Sequence, residues 1–309
     1  MHVVPISKPI AASTVVAPLG IDDIQRRIEQ LDAVPTVAAI LIPLLRHLEQ
    51  PAEYIDVQRV SHFIAHDNSL AAQCLRMANS PLYGRRNRCE NIRGAVVTLG
   101  VLRIREIALS CSLLKLMPGG SATGLAVWQH SLAAALVSRR LARTVSYADP
   151  DRAYLAGLLH DIGIVVLMHV GVGYAHVLQA AADTGIGLET AERKLCGATH
   201  TFVGQILATH WKLNAEVEEV IYRHHEPERA RIHGDLVSII HVADVICRAN
   251  GLGYPFAENL APEDQLRAWE RLCEQNPRAR KLDWSAVETE LTRYLGEVRS
   301  LVNVVSRLA

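Results

Sequence analysis

Excess charge of either sign is missing from these 309 residues, where 32 lysines and arginines meet 32 aspartates and glutamates. Without a basic surplus or stripe, nucleic acid is not an expected partner. Aromatic residues are scarce, with three phenylalanines and four tryptophans, so no stacking platform for bases is evident. None of the six cysteines (Cys74, Cys89, Cys111, Cys196, Cys247, Cys273) falls in a C-x-x-C pair, which argues against a zinc knuckle or a disulfide framework. They read as buried or incidental thiols of a reducing compartment. Also absent is any uncharged apolar run of the ~18 residues that a membrane span needs. The stretch 153–178 comes nearest, but Asp161 and three histidines interrupt it. Residues 1–20 lack a basic start followed by a long apolar segment, so no signal peptide is expected. The expectation is a soluble, cytoplasmic protein without membrane contact.

What the chain does have is helical periodicity and half its residues apolar. Residues 1–20 are rich in Ala, Val, Pro and Ser and read as a flexible N-terminal arm. Leu31, Val34, Val37, Leu41, Leu44, Leu45 and Leu48 recur at three- and four-residue steps, with Pro35 near a helix start. Val57, Val60 and Ile64, then Leu70, Leu75 and Met77, continue the pattern across the turn-prone Asp67-Asn68-Ser69. Asn79-Ser80-Pro81-Leu82-Tyr83-Gly84 reads as a break, before further helices through Leu99 and Leu116. Met117-Pro118-Gly119-Gly120-Ser121 is the clearest punctuation. A second helical block begins near Leu125 and ends before Gly251-Leu252-Gly253-Tyr254-Pro255. Two further helical stretches follow, around 266–272 and 287–308. No period-2 strand pattern is convincing, so the expected fold is all-α. The expected division is 21–118, 122–250 and a C-terminal helical extension over 251–309.

Histidine is unevenly spread: ten of fourteen lie between His130 and His241, where even scatter would place about five. The most informative stretch is Leu158-Leu159-His160-Asp161-Ile162-Gly163, at the end of an apolar helical run. Buried His and Asp side by side require hydrogen bonds or a metal. With His130, His200, His224, His225 and Asp244 they form a candidate ligand set for divalent transition metals. In that arrangement His130, His160, Asp161 and Asp244 surround one metal. Asp161 bridges to a second, held by His200 and by His224, His225 or both. The helix must terminate at His160-Asp161 for both side chains to face inward, and Gly163 fits such a termination. His241, three residues before Asp244, is a candidate supporting partner. The alternative is an empty, hydrogen-bonded polar cluster. The other histidines, including His62, His66 and His210, read as surface or satisfied core residues. A second charged stretch, Gly84-Arg85-Arg86-Asn87-Arg88 with Arg93, Arg103 and Arg105, could meet an acidic partner or a nucleotide phosphate, or be a solvated loop.

In this order the residues resemble the HD superfamily of metal-dependent phosphohydrolases, and more closely the HDOD (HD-related output domain) family. The resemblance rests on Leu31-Asp32-Ala33-Val34-Pro35, Ala78-Asn79-Ser80-Pro81-Leu82-Tyr83-Gly84 and Ala95-Val96-Val97-Thr98-Leu99-Gly100-Val101-Leu102-Arg103 in the first block. In the second it rests on Trp128-Gln129-His130-Ser131, Leu155-Ala156-Gly157-Leu158-Leu159-His160-Asp161-Ile162-Gly163, Thr199-His200-Thr201-Phe202-Val203-Gly204, Trp211-Lys212-Leu213, His224-His225-Glu226-Pro227 and Ala243-Asp244. It implies an HDOD-type fold, with an N-terminal helical bundle packed on an HD-like subdomain, and a regulatory role in bacterial signal transduction. Such proteins are viewed as output or scaffolding modules without an agreed catalytic activity.

The related HD-GYP proteins hydrolyse cyclic dinucleotides, and three departures separate this chain from them. Ile164 stands where HDxGK has its lysine. Glu226-Pro227 follows the paired histidines where GYP would stand, and the later Gly253-Tyr254-Pro255 reads as a decoy. Ala126, one turn before His130, cannot supply an acidic ligand for a third metal. The expectation is therefore a regulatory protein with one or two divalent metals (Fe, Mn, Zn or Ni) used for structure or ligand sensing, without robust catalysis. Its expected partner is a signalling protein, with a nucleotide or phosphoester as candidate ligand. The alternative is a metal-dependent phosphohydrolase in which Asp161 is catalytic.

Overall fold

The computed structural model describes residues 19–32, 41–47, 58, 60, 61, 64, 67–83, 88–118, 121–169, 173–254, 260 and 262–306. The arm over 1–18, the apolar positions 34, 37, 48 and 57, His62, His66, residues 84–87 and Pro255 lie outside them. Helices run in the order α1 (Ile21–Asp32), α2 (Ile42–His47), α3 (Asn68–Ala78), α4 (Ile92–Leu99), α5 (Val101–Leu114) and α6 (Ala122–Thr144). Then come α7 (Pro150–Leu159), α8 (Ile162–Leu167), α9 (Tyr174–Thr184), α10 (Leu188–Leu195) and α11 (His200–His210). The chain closes with α12 (Ala215–Arg223), α13 (Gly234–Ala249), α14 (Pro262–Gln275) and α15 (Trp284–Ser306). The fold is all-α, and no strand occurs among the described residues.

The helix boundaries follow local chemistry. The Asp67 carboxylate accepts from the Leu70 N–H to start α3, and the Asn91 side chain caps α4 in the same way. Ser121 caps α6, so this helix begins at Ala122, a turn before the apolar period becomes visible at Leu125. Asp149 caps α7 with Pro150 in the first turn, where its missing N–H costs nothing. Gly185 adopts a left-handed conformation (φ 66°) that ends α9.

The buried apolar side chains form one contiguous core from Ile24 to Val302. Helix α6 is its axis and packs against α7, α13 and α15. Trp128 of α6 is fully buried and donates its indole N–H to the Ser110 carbonyl of α5, 2.7 Å away. The C-terminal helices are part of this core. α14 lies on α13, while α15 lies on α6, α3 and the 3₁₀ turn Pro81–Tyr83. Leu291, Leu295, Val298 and Leu301 of α15 are buried at helical spacing.

Candidate metal centre

Six helices bring the site together, mostly at their ends. His160 closes α7 and Asp161 precedes α8, so the chain breaks between two helices where both side chains turn inward. His200 opens α11, His224 and His225 follow α12, and His130 and Asp244 project from α6 and α13. The break does not depend on Gly163 as a terminator. Gly163 instead lies inside α8 where it crosses α11, and a Cβ there would sit 2.0 Å from the His200 carbonyl oxygen. Glycine is needed for that close approach, which sets the spacing between Asp161 and His200.

All seven candidate residues converge, in two groups that meet at Asp161. His130, His160 and Asp244 can offer ligand atoms within 4.8 Å of one another, as can Asp161, His200, His224 and His225. Asp161 Oδ2 lies 2.9 Å from His160 Nε2 and 3.6 Å from His130 Nε2. Its Oδ1 lies 3.3 Å from the Nε2 atoms of both His200 and His224. Asp244 Oδ1 is 3.1 Å from His130 Nε2. His225 is the most open member, a quarter exposed, yet its Nε2 stands 3.1 Å from His200 Nε2.

Hydrogen bonds from the far side of each ring fix this orientation. Nδ1 of His130 faces the Leu252 carbonyl at 2.7 Å, and Nδ1 of His160 faces that of Gly157 at 2.8 Å. His224 Nδ1 lies 3.2 Å from the Val220 and Ile221 carbonyls. A carbonyl can only accept, so Nδ1 carries the proton in each ring. His241 supports the site indirectly, with Nδ1 donating to the His224 carbonyl at 2.8 Å.

The charges are arranged for a cation. Burial opposes ionisation of Asp161, but His160, His224 and His200 hold its carboxyl well below the usual carboxylate range. Burial is likewise overcome at Asp244 by Arg248 and His130. His224 and His225 are pushed down by burial and remain neutral imidazoles at neutral pH. Asp161 Oδ1 is buried and accepts no hydrogen bond. Asp161 Oδ1 is thus an ionised, buried oxygen without a hydrogen-bond partner, ringed by imidazole nitrogens, and a divalent ion would meet both. The donor set therefore fits such a metal.

A residue without a sequence signal completes the centre. Glu192 of α10 is fully buried, and its Oε2 accepts from both the backbone N–H (2.9 Å) and Nδ1 (2.7 Å) of His200. Tyr174 donates its hydroxyl to the same carboxylate. Burial disfavours charge on His200, but Glu192 and Asp161 together hold its pKa up to about 9. A carboxylate behind a ligating histidine fixes its tautomer and strengthens its donor nitrogen. Glu192→Gln should weaken metal binding by roughly tenfold or more. Competition with a chromophoric chelator measures this, with circular dichroism to show an intact helical fold. Unchanged affinity would reduce Glu192 to a holder of the turn before α11.

One sequence expectation changes here, and one contact is new. The Tyr254 ring, beyond Asp244 in the chain, packs edge-on against His130 at a centroid distance of 4.8 Å. Arg103 and Arg105 do not belong to an exposed basic patch. Arg105 is buried, and the partly buried Arg103 pairs with the buried Glu106 at 2.7 Å. Arg88 and Arg93 are exposed, and residues 84–87 lie outside the described residues. Of the histidines set aside as ordinary, His210 binds Asp32 at 2.7 Å and links α11 to α1.

These features define an all-helical protein with a buried His/Asp centre of the HD type. The HDOD domain model matches residues 34–227, more than half of the chain, and the chain belongs to the HDOD family. Asp244 and Tyr254 lie beyond the matched stretch. An HDOD domain protein of unknown function from Geobacter sulfurreducens has a similar structure, with TM-score 0.76 and 26% identity over 91% of this chain and 96% of that one. A Shewanella amazonensis protein named as a candidate phosphohydrolase shares the fold, with TM-score 0.69 and 23% identity over 91% and 97% of the two chains. An uncharacterised Treponema pallidum protein is 23% identical over 244 residues, 77% of this chain and 45% of the relative. The chain thus spans a little under half the length of that curated relative.

Proposed function

We propose that this chain is a regulatory HDOD protein of bacterial signal transduction whose His/Asp centre holds one or two divalent transition metals. His130, His160 and Asp244 would hold one, and His200, His224 and His225 the other. Asp161 would give one oxygen to each. The observation that carries this reading is the unpartnered Asp161 Oδ1 set among imidazoles whose Nδ1 atoms are already engaged. Iron, manganese, zinc and nickel all suit imidazole–carboxylate sites.

The centre serves structure or the sensing of a phosphorylated ligand, without robust turnover. Ile164 supports this. It is fully buried in α8, so no cation stands where the HD-GYP resemblance would place a phosphate-binding lysine. Losing such a contact costs a phosphoryl-transfer enzyme orders of magnitude in rate. The partner in this reading is a signalling protein, neither nucleic acid nor a membrane. No helix among the described residues is long and apolar enough to cross one.

A phosphohydrolase reading retains one specific support: a cleft opens onto Asp161, Asp244 and His225. Bound metal would supply a water of lowered pKa there. Elemental analysis of protein purified without chelator, beside Asp161→Ala, tests the main proposal. Wild type is expected to carry one or two metal equivalents and the variant almost none, because both groups lose their shared oxygen ligand. No stoichiometric metal in wild type would sink the proposal. Turnover of cyclic dinucleotides or phosphoesters at ordinary enzyme rates, abolished by Asp161→Ala, would replace it with the phosphohydrolase reading.

A further inference from the structure

The cleft over the centre encloses about 230 Å³. Its lining includes Asp161, Asp244 and His225 of the centre, the carboxylate of Glu189, apolar Leu178, Ala181 and Leu188, and Arg248 and Tyr254. We infer that Arg248 and Tyr254 form an oxyanion subsite, which seats the phosphoryl group of a small phosphorylated ligand against the metals. This inference rests on the metal-bound reading of the centre.

Two independent observations point to a ligand. Tyr254 is among the residues lining the cleft and only 8% exposed, and its hydroxyl is buried without a hydrogen-bond partner. A buried phenol normally finds an acceptor, and an anion in the cleft provides one. Arg248 lies one helical turn after Asp244 and contacts its Oδ2 at 3.3 Å through Nη1. It therefore brings a guanidinium to the same cleft as the metal carboxylates. Guanidinium pairs with phosphoryl oxygens through a planar fork of donors. Arg223 and Arg229, in the neighbouring groove at His225, both bind Glu226.

Charge and size set the ligand class. Two divalent metals would more than offset the Asp161, Asp244 and Glu189 carboxylates, and Arg248 adds a further positive charge, so the cleft favours an anion. Its volume falls below the ~300 Å³ at which pockets for drug-sized ligands begin. A phosphoryl group with a small organic body fits that space. Leu178, Ala181 and Leu188 would cover the organic body. The cation that Ile164 cannot supply thus comes from a different helix, α13.

Isothermal titration of the full, Mn²⁺-loaded protein with inorganic phosphate tests this, with metal content measured on the same samples. Wild type is expected to bind phosphate. Arg248→Gln should bind it ~10–100-fold more weakly, and Tyr254→Phe several-fold more weakly, the latter with unchanged metal content. Metal-loaded wild type that ignores phosphate overturns the inference and leaves the metal reading standing. Loss of metal in Arg248→Gln, with Tyr254→Phe binding phosphate normally, makes Arg248 a support for Asp244 and also overturns it. Wild type that takes up no metal sinks both readings together.

Discussion

Gly163→Ala is expected to abolish the metal centre and to cost at least about 3 kcal/mol of stability, although it adds a single methyl group. The added Cβ would lie 2.0 Å from the His200 carbonyl oxygen and 2.6 Å from the Gly204 backbone nitrogen. Both obstacles are main chain, so no side-chain rotation relieves them. α8 and α11 must separate, and Asp161 stands at the start of one while His200 opens the other. The effect should therefore appear twice, as a lower denaturation midpoint and as lost metal in the fraction still folded. Gly296→Ala is the matched control. Gly296 is exposed in α15 with nothing within 4 Å of its would-be Cβ, so alanine should stabilise by about 0.5–1 kcal/mol through helix propensity. Equal behaviour of the two variants would refute the close-approach argument.

The second large effect is expected from Glu106→Ala. Glu106 of α5 is buried and accepts from Arg103 of its own helix and Arg139 of α6. The Arg139 guanidinium lies 4.9 Å above the Tyr154 ring of α7, and the Tyr154 hydroxyl bonds Ser110 of α5 at 2.7 Å. This network joins the helices before residue 118 to those that carry the centre. Removing the carboxylate leaves two guanidinium groups in or near the core without their common partner, a change that typically costs about 3–5 kcal/mol. Chemical denaturation should show that loss. A cost below about 1 kcal/mol would mean that solvent reaches the arginines and that the network does not bind the two halves.

Both predictions concern groups that periodicity could not locate. The His160-Asp161 pair was legible because adjacent polar ligands at the end of an apolar run require a helix break. The order of His130, His200, His224, His225 and Asp244 was legible because their residue types share one chemistry. Gly163 looked like a terminator, since glycine after a helix commonly is one. Its actual neighbour is 37 residues away in sequence, and only packing reveals it. Glu192 gave no signal because a glutamate in an amphipathic helix is ordinarily solvated. It becomes a support for His200 only when α10 turns its buried face to the start of α11. Arg103 and Arg105 looked like surface charge for the same reason. The C-terminal helices were visible as periodic stretches, but nothing in them announced that α15 would pack along α6.

By itself the sequence determined the all-helical class, the family, and which residue types gather into one chemical set. Those properties are local or compositional: helical period, capping residues, and a run of histidines too dense to be scatter. The tertiary structure alone decided that Asp161 divides its two oxygens between two groups, that Glu192 orients His200, and that Arg248 and Tyr254 share the cleft above them. The physical reason is range. Helix formation is set by neighbours a few residues apart, whereas a binding site is set by directions that side chains acquire only after distant helices have packed.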